Sequence, residues 1–330
     1  MDWHRLPKVE LHLHLDCSLS YAVVSRIDPS ITPEDYGTDF VAPNKCANLM
    51  DFLSRVPRSL ALMQTEEHLR LVTLDLFEQL VADNVLYAEI RFAPLLHTER
   101  GLSAHEVVAS VEAATAEAMR NTGIEARLVL CTLRHYAEAQ SLETAKLARD
   151  FRGTYVAGFD IAADESLPVD AHVAAFQYAR DEGIPCTAHA GEARGPESVW
   201  ETLRGLSPSR LGHGVRSTED PLLLDYLLEH QIHLEVCPTC NVQTNVYETY
   251  ADHPIDALRR AGVSVGVNTD TRGIGNITLS QEYKKLHRTF GWDAKGFLQC
   301  NKDALHAAFL PDHVRDELLA RLVDGYQHGL

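Results

Sequence analysis

The chain has 330 residues, 45% of them apolar and 23% charged, the composition of a globular protein with material for a large core. Acidic residues outnumber basic ones 47 to 30, a formal charge of −17, which argues against a DNA or RNA partner and leaves a small uncharged ligand open. No apolar run approaches a membrane span, the first residues lack the apolar stretch of a signal peptide, and seven scattered cysteines suggest no disulfide framework, so the expectation is a cytoplasmic protein without a membrane partner.

The first element is the most informative. Glu10-Leu11-His12-Leu13-His14-Leu15-Asp16 alternates, which predicts a strand over 9–14 with His12 and His14 on one face and the leucines on the other. Two imidazoles on one rigid edge form half of a metal site. The segment 18–64 is long for a single connection and carries short helical patterns around 47–56; it is expected to cover the mouth of whatever the strands build. Strands are then expected over 85–92, 126–133, 155–161, 185–189, 210–212, 233–236 and 264–268. Amphipathic helices are expected over 65–83, 104–121, 142–152, 169–182, 196–206 and 220–231, the last opened by Asp220-Pro221 as cap and proline.

Eight short apolar strands alternating with helices predict one α/β domain over 1–330, a (β/α)8 TIM barrel. An open doubly wound sheet is the alternative. Polar residues cluster at the C-terminal ends of strands one, five, six and eight, and only a closed sheet brings those ends to one point. His12 and His14 end the first strand, His189 the fifth, His213 the sixth and Asp270 the eighth. Three neutral imidazoles and a carboxylate suit Zn²⁺, with one position left for water. Glu192 follows His189 by three residues. In a dry pocket its carboxyl keeps its proton and donates. His213, flanked by glycines, is a base or an orienting group. Taken singly, each has a duller reading: a satisfied strand-end histidine, a helix cap at Glu192, a turn residue at Asp270. Four in order, each at a strand end, argue against coincidence.

Lys8-Val9-Glu10-Leu11-His12-Leu13-His14-Leu15-Asp16, His189-Ala190-Gly191-Glu192, Gly212-His213-Gly214 and Asn268-Thr269-Asp270 together resemble the ordered motifs of the adenosine deaminase family, in the metal-dependent amidohydrolase superfamily. The resemblance covers nearly the whole chain. It implies a barrel with its metal site at the C-terminal ends of the strands, and one Zn²⁺ held by His12, His14, His189 and Asp270. It implies a purine nucleoside substrate, with hydrolysis of adenosine and 2′-deoxyadenosine to the inosine product and ammonia. By the same resemblance, Glu192 protonates the purine nitrogen beside the reacting carbon and His213 stabilises and orients hydroxide. Asp16 bonds the ribose 5′ hydroxyl, and the backbone N–H of Ala163 serves the purine. Three residues depart from the family pattern. Cys17 and Ala163 stand where the family usually has Gly. Thr271 stands where its best-known members have a second Asp that bonds the imidazole-ring nitrogen of the purine, so Thr271 is expected to bind there without a carboxylate. Two further readings stay open. One is a deaminase of a related 6-aminopurine, such as adenine, 5′-deoxyadenosine or aminodeoxyfutalosine. The other is a non-catalytic nucleoside-binding barrel, against which the presence of both Glu192 and His213 speaks.

Some patterns mislead. His233-Leu234-Glu235 and Cys237-Pro238-Thr239-Cys240 look like elements of a different zinc deaminase fold, but here they crowd into one strand and its loop, and no zinc or redox role is expected of the two cysteines. Gly273-Ile274-Gly275 lacks the third glycine of a nucleotide fingerprint and reads as a loop. His97, His135 and His253 are expected at structural or rim positions.

Overall fold

All eight expected strands form in the computed structural model, which describes residues 2–329. They are β1 (Lys8–His14), β2 (Val85–Phe92), β3 (Glu125–Leu133), β4 (Val156–Ala162), β5 (Thr187–Ala190), β6 (Arg210–His213), β7 (His233–Val236) and β8 (Val265–Val267). Pairing is parallel throughout, in two runs, β1 to β4 and β5 to β8. Two joints close them into a barrel. The Phe159 N–H donates to the Pro185 carbonyl (3.0 Å), which ties β4 to the entry of β5. The His14 N–H donates to the Asp270 carbonyl (2.8 Å) and the Asp270 N–H to the His12 carbonyl (3.0 Å), which ties the end of β8 to β1. Closure excludes the open doubly wound sheet. Strand β5 begins two residues later than expected, because Pro185 has no N–H to place in a ladder.

The helices follow the strands as expected, Pro196–Leu206 with the expected bounds and the others with shifted ends: Glu66–Ala82, Ala104–Thr122, Glu138–Asp150, Val173–Asp181 and Pro221–Glu229. The Asp220 carboxylate accepts the Leu222 N–H (3.0 Å), so the cap-and-proline signal was a true helix start. The helix expected from 142 begins earlier, at Glu138, where the Gln140 side chain accepts the Ala137 N–H. Three C-terminal helices, Leu279–Phe290, Ala294–Ala307 and Asp312–His328, carry no mark in the sequence reading. Asn301 on the middle one accepts the Val9 N–H (2.8 Å) and so joins this layer to the start of β1. Between β1 and Glu66 lie four short helices, Tyr21–Ile27, Pro33–Asp39, Leu49–Leu53 and Val56–Ala61. Among the described residues no helix is long and apolar enough to cross a membrane.

The barrel interior departs from the usual filling of branched aliphatic side chains. Arg210 of β6 pairs with Glu89 of β2 and Glu235 of β7. Arg91 of β2 pairs with Glu235 (2.6 Å) and Asp160 of β4 (2.8 Å). All five are fully buried, and strands β2 and β6 are not neighbours, so these pairs cross the interior. Removing one member would strand a buried charge, a loss of about 3–5 kcal/mol. The network therefore holds the floor beneath the strand ends rigidly.

Candidate active site

Strand alternation and barrel closure bring His12, His14, His189 and Asp270 together, with one ligand atom of each within 4.8 Å of the others. His14 Nε2 lies 3.1 Å from His189 Nε2. Asp270 Oδ1 lies 3.4 Å from His12 Nε2 and 3.5 Å from His14 Nε2. A tetrahedral ion with bonds of about 2.0–2.1 Å sets its donors roughly 3.3 Å apart, so these four fit one. The hydrogen bonds behind them fit as well. His12 Nδ1 donates to Glu235 (2.8 Å), which leaves its buried Nε2 a bare lone pair with no partner among the described residues. His189 Nδ1 meets Asp160 at 3.2 Å. Carboxylates behind ligating histidines fix the tautomer and raise ligand basicity. Burial opposes ionisation of Glu235, but Arg91 and Arg210 overcome it and hold its carboxyl down at about 2. Burial also keeps His12 and His14 neutral, as ligation requires.

Backbone conformation aims these groups. His213 (φ 60°), Asp270 (φ 67°) and Ala163 (φ 77°) all sit in the left-handed region, unusual for residues with a Cβ and typical of functional strand ends. Gly212 leaves room for His12: a Cβ there would fall 2.8 Å from its Cε1.

A second overlapping set, His12, His213, Cys237 and Asp270, also lies within 4.8 Å. Burial pushes the Cys237 thiol well above its usual range, and it donates to the Glu235 carbonyl (3.5 Å). Burial favours the neutral thiol, and this set offers two imidazoles where the other offers three. Burial also pushes the Cys240 thiol well above its usual range, with the Asp270 carboxylate adding to it. The cysteine pair thus borders the site.

Glu192 is 4% exposed and faces the same space, with Oε2 3.2 Å from His213 Nε2. Burial pushes its carboxyl up to about 8; His189 opposes this, and Glu165 and Asp270 add to it. At neutral pH it holds a proton. Its loop is clamped by Glu165, whose carboxylate accepts the N–H groups of Gly191, Glu192 (3.0 Å), Ala193 and Arg194 (2.9 Å) and the Ser198 hydroxyl (2.6 Å).

Two joined cavities open onto these groups. A small one of about 50 Å³ is lined by His14, His189, Glu192, His213, Asp270 and Thr271, under Leu49, Phe52 and Leu53. A larger one of about 250 Å³ is lined by Asp16, Ala163 and mostly apolar side chains, among them Val56, Leu60, Leu96 and Leu133. Burial raises the Asp16 carboxyl to about 6, against the Ala93 N–H that it accepts (3.3 Å). The Thr271 hydroxyl is buried with no partner among the described residues. His135 is exposed at the rim of the larger cavity. His97 is fully buried behind Asp16 (3.9 Å) and bonds the Met63 carbonyl. Gly273 and Gly275 lie in a loop, as read.

Sequence reasoning assigned no role to Asp160, Arg91, Glu165, Glu235 or Asn241. A signal existed for two of them. Asp160 and Glu235 are charges inside short apolar strands of the kind buried on both faces, where an ionised group needs a buried partner.

A parallel barrel that gathers imidazoles and carboxylates at its strand ends, with a protonated acid beside them, is an enzyme of the amidohydrolase type. The chain matches the family described as Adenosine deaminase over residues 7–325. It is 34% identical over 325 residues to an adenosine deaminase of Clostridium acetobutylicum, covering 96% of this chain and 97% of that one. It is 35% identical over 328 residues to one from Enterococcus faecalis, covering 97% and 96%. Among solved structures, an adenine deaminase from Arthrobacter aurescens superposes with a TM-score of 0.90 at 25% identity, covering 98% and 99%. The chain belongs to the adenosine deaminase family.

Proposed function

We propose that this protein hydrolyses adenosine to inosine and ammonia. The observation that carries the reading is a buried Glu192, its carboxyl pushed up to about 8, facing a His₃Asp donor set across a cavity that opens into an apolar pocket. His12, His14, His189 and Asp270 would hold one divalent ion, Zn²⁺ by donor chemistry, which when bound lowers the pKa of a water toward neutrality. Glu192 delivers its proton to the purine nitrogen beside the reacting carbon and makes that carbon electrophilic. His213 orients the attacking oxygen. Asp16 accepts the ribose 5′ hydroxyl, the Ala163 N–H serves the purine, and the free Thr271 hydroxyl donates to the imidazole-ring nitrogen. Residues 18–64 cover the mouth, with Leu49, Phe52 and Leu53 keeping bulk water from the reacting groups.

A nucleoside is favoured over a nucleotide because, among the described residues, no Lys or Arg lines either cavity, and a phosphate needs such a partner. The test is a screen of adenosine, 2′-deoxyadenosine, 5′-deoxyadenosine, adenine and AMP, followed by ammonia release. Adenosine should be turned over fastest and AMP should be inert. Faster turnover of adenine would replace the substrate assignment, and no turnover of any would point to a retired barrel.

Replacing Asp16 by Ala should separate nucleoside from base. A hydrogen bond to a charged group contributes about 1.5–3 kcal/mol, so kcat/KM for adenosine should fall roughly ten- to hundredfold. Any turnover of free adenine should stay within about threefold, since it has no ribose to lose. Equal losses on both would make Asp16 a support for His14, whose Nδ1 lies 3.9 Å away.

A further inference from the structure

A neutral imidazole carries one proton on either of two nitrogens, and its partners decide which. For His213 the answer follows from a chain of hydrogen bonds that starts at a backbone amide. The Ile255 N–H donates to His253 Nδ1 (3.2 Å). A backbone amide only donates, so Nδ1 of His253 is the bare nitrogen and its proton sits on Nε2. That Nε2–H faces Asn241 Oδ1 (3.1 Å), which accepts it. The orientation of the Asn241 amide is thereby settled, and its NH₂ meets His213 Nδ1 at 3.1 Å. Nδ1 of His213 accepts, so its one proton is on Nε2.

Nothing nearby disturbs this order. His253 is 2% exposed and packs between Tyr247 and Tyr250, at ring separations of 5.1 and 6.4 Å. Burial alone holds it neutral, at about 3. Asn241 is fully buried and anchored by its own backbone, which gives its N–H to Cys237 and receives Val246. Nε2 of His213 has no aligned partner among the described residues, although Glu192 Oε2 is 3.2 Å away, so its proton is free for a ligand.

We propose that Asn241 and His253 are positioning residues that lock His213 in the Nε2-protonated tautomer, so that His213 meets the attacking oxygen as a hydrogen-bond donor and not as a base. This rests on the deaminase reading for its catalytic consequence. The tautomer itself can be read without activity. It also decides between the two roles that the sequence left open for His213.

The test begins with the metal-loaded wild-type protein carrying ¹⁵N-labelled histidine, with the His213 signals assigned by difference from a His213→Gln variant. Long-range ¹H–¹⁵N spectra should show a protonated Nε2 and a bare Nδ1. A proton on Nδ1 would overturn the proposal whatever the activity. Asn241→Asp keeps the shape but offers only acceptors, so it should reverse the tautomer. Its kcat on adenosine should fall roughly ten- to hundredfold with KM within about twofold, the pattern of an interaction made in the transition state. His253→Leu should lower kcat because it frees the amide to turn, while His253→Gln, which still presents an N–H, should restore most of it. An unchanged kcat in Asn241→Asp, or equal losses in the two His253 variants, would refute the positioning role. A wild-type protein without deaminase turnover would instead refute the function and leave the spectrum to decide the tautomer.

Discussion

Glu192→Gln should lower kcat by at least roughly a hundredfold, the scale of a lost general acid, with fold and metal content intact. The side chain is buried, and its carboxyl is pushed up to about 8, so it carries a proton at neutral pH. Gln matches it in size and donates a hydrogen bond from the same place. It cannot give the proton away. The backbone around it would not notice the change, because Glu165 and not Glu192 holds the N–H groups of residues 191–194. The measurement is kcat beside metal content and melting temperature. Near-wild-type turnover at full metal would make Glu192 a structural residue and would remove the acid from the proposed reaction.

Removal of the metal should have the other large effect. Chelation should reduce turnover at least roughly a hundredfold, because a bound ion contributes several kcal/mol of transition-state stabilisation, and Zn²⁺ should restore it. The melting temperature should fall with it, since an ion that binds only the native state stabilises that state by mass action. The fold should survive: the barrel is closed by backbone pairing between β1 and residue 270 and held by the buried Arg91, Arg210, Glu89 and Glu235 network, none of which needs the ion. Elemental analysis should find about one divalent ion per chain, as a single His₃Asp set implies. Full activity in metal-free protein would sink the assignment of His12, His14, His189 and Asp270.

The parts of this site legible in the sequence are those governed by local periodicity. His12 and His14 are two residues apart on a strand, so they had to share a face. His189, His213 and Asp270 each follow a short apolar run, so they had to sit at strand ends, and eight such runs between helices had few architectures to choose from. The polar partners behind these residues were not legible. Glu235 reaches His12 across 223 positions of the chain, and Asp160 reaches His189 across 29. His233-Leu234-Glu235 read as a false zinc motif, yet its glutamate is the residue that frees His12 Nε2. Asn241 sits on a short helix, Pro238–Gln243, and His253 just ahead of another, Ile255–Arg260, and their significance depends on which way one amide faces. Local pattern determined the succession of strands and helices and the chemistry at the strand ends, and the ordered motifs, through their resemblance to a family, pointed to the class of reaction. Barrel closure decided which donors converge, which carboxyl is dry enough to keep its proton and which nitrogen of each imidazole carries one. Those outcomes depend on burial and on hydrogen bonds between residues far apart in sequence, and such bonds exist only once the sheet has closed.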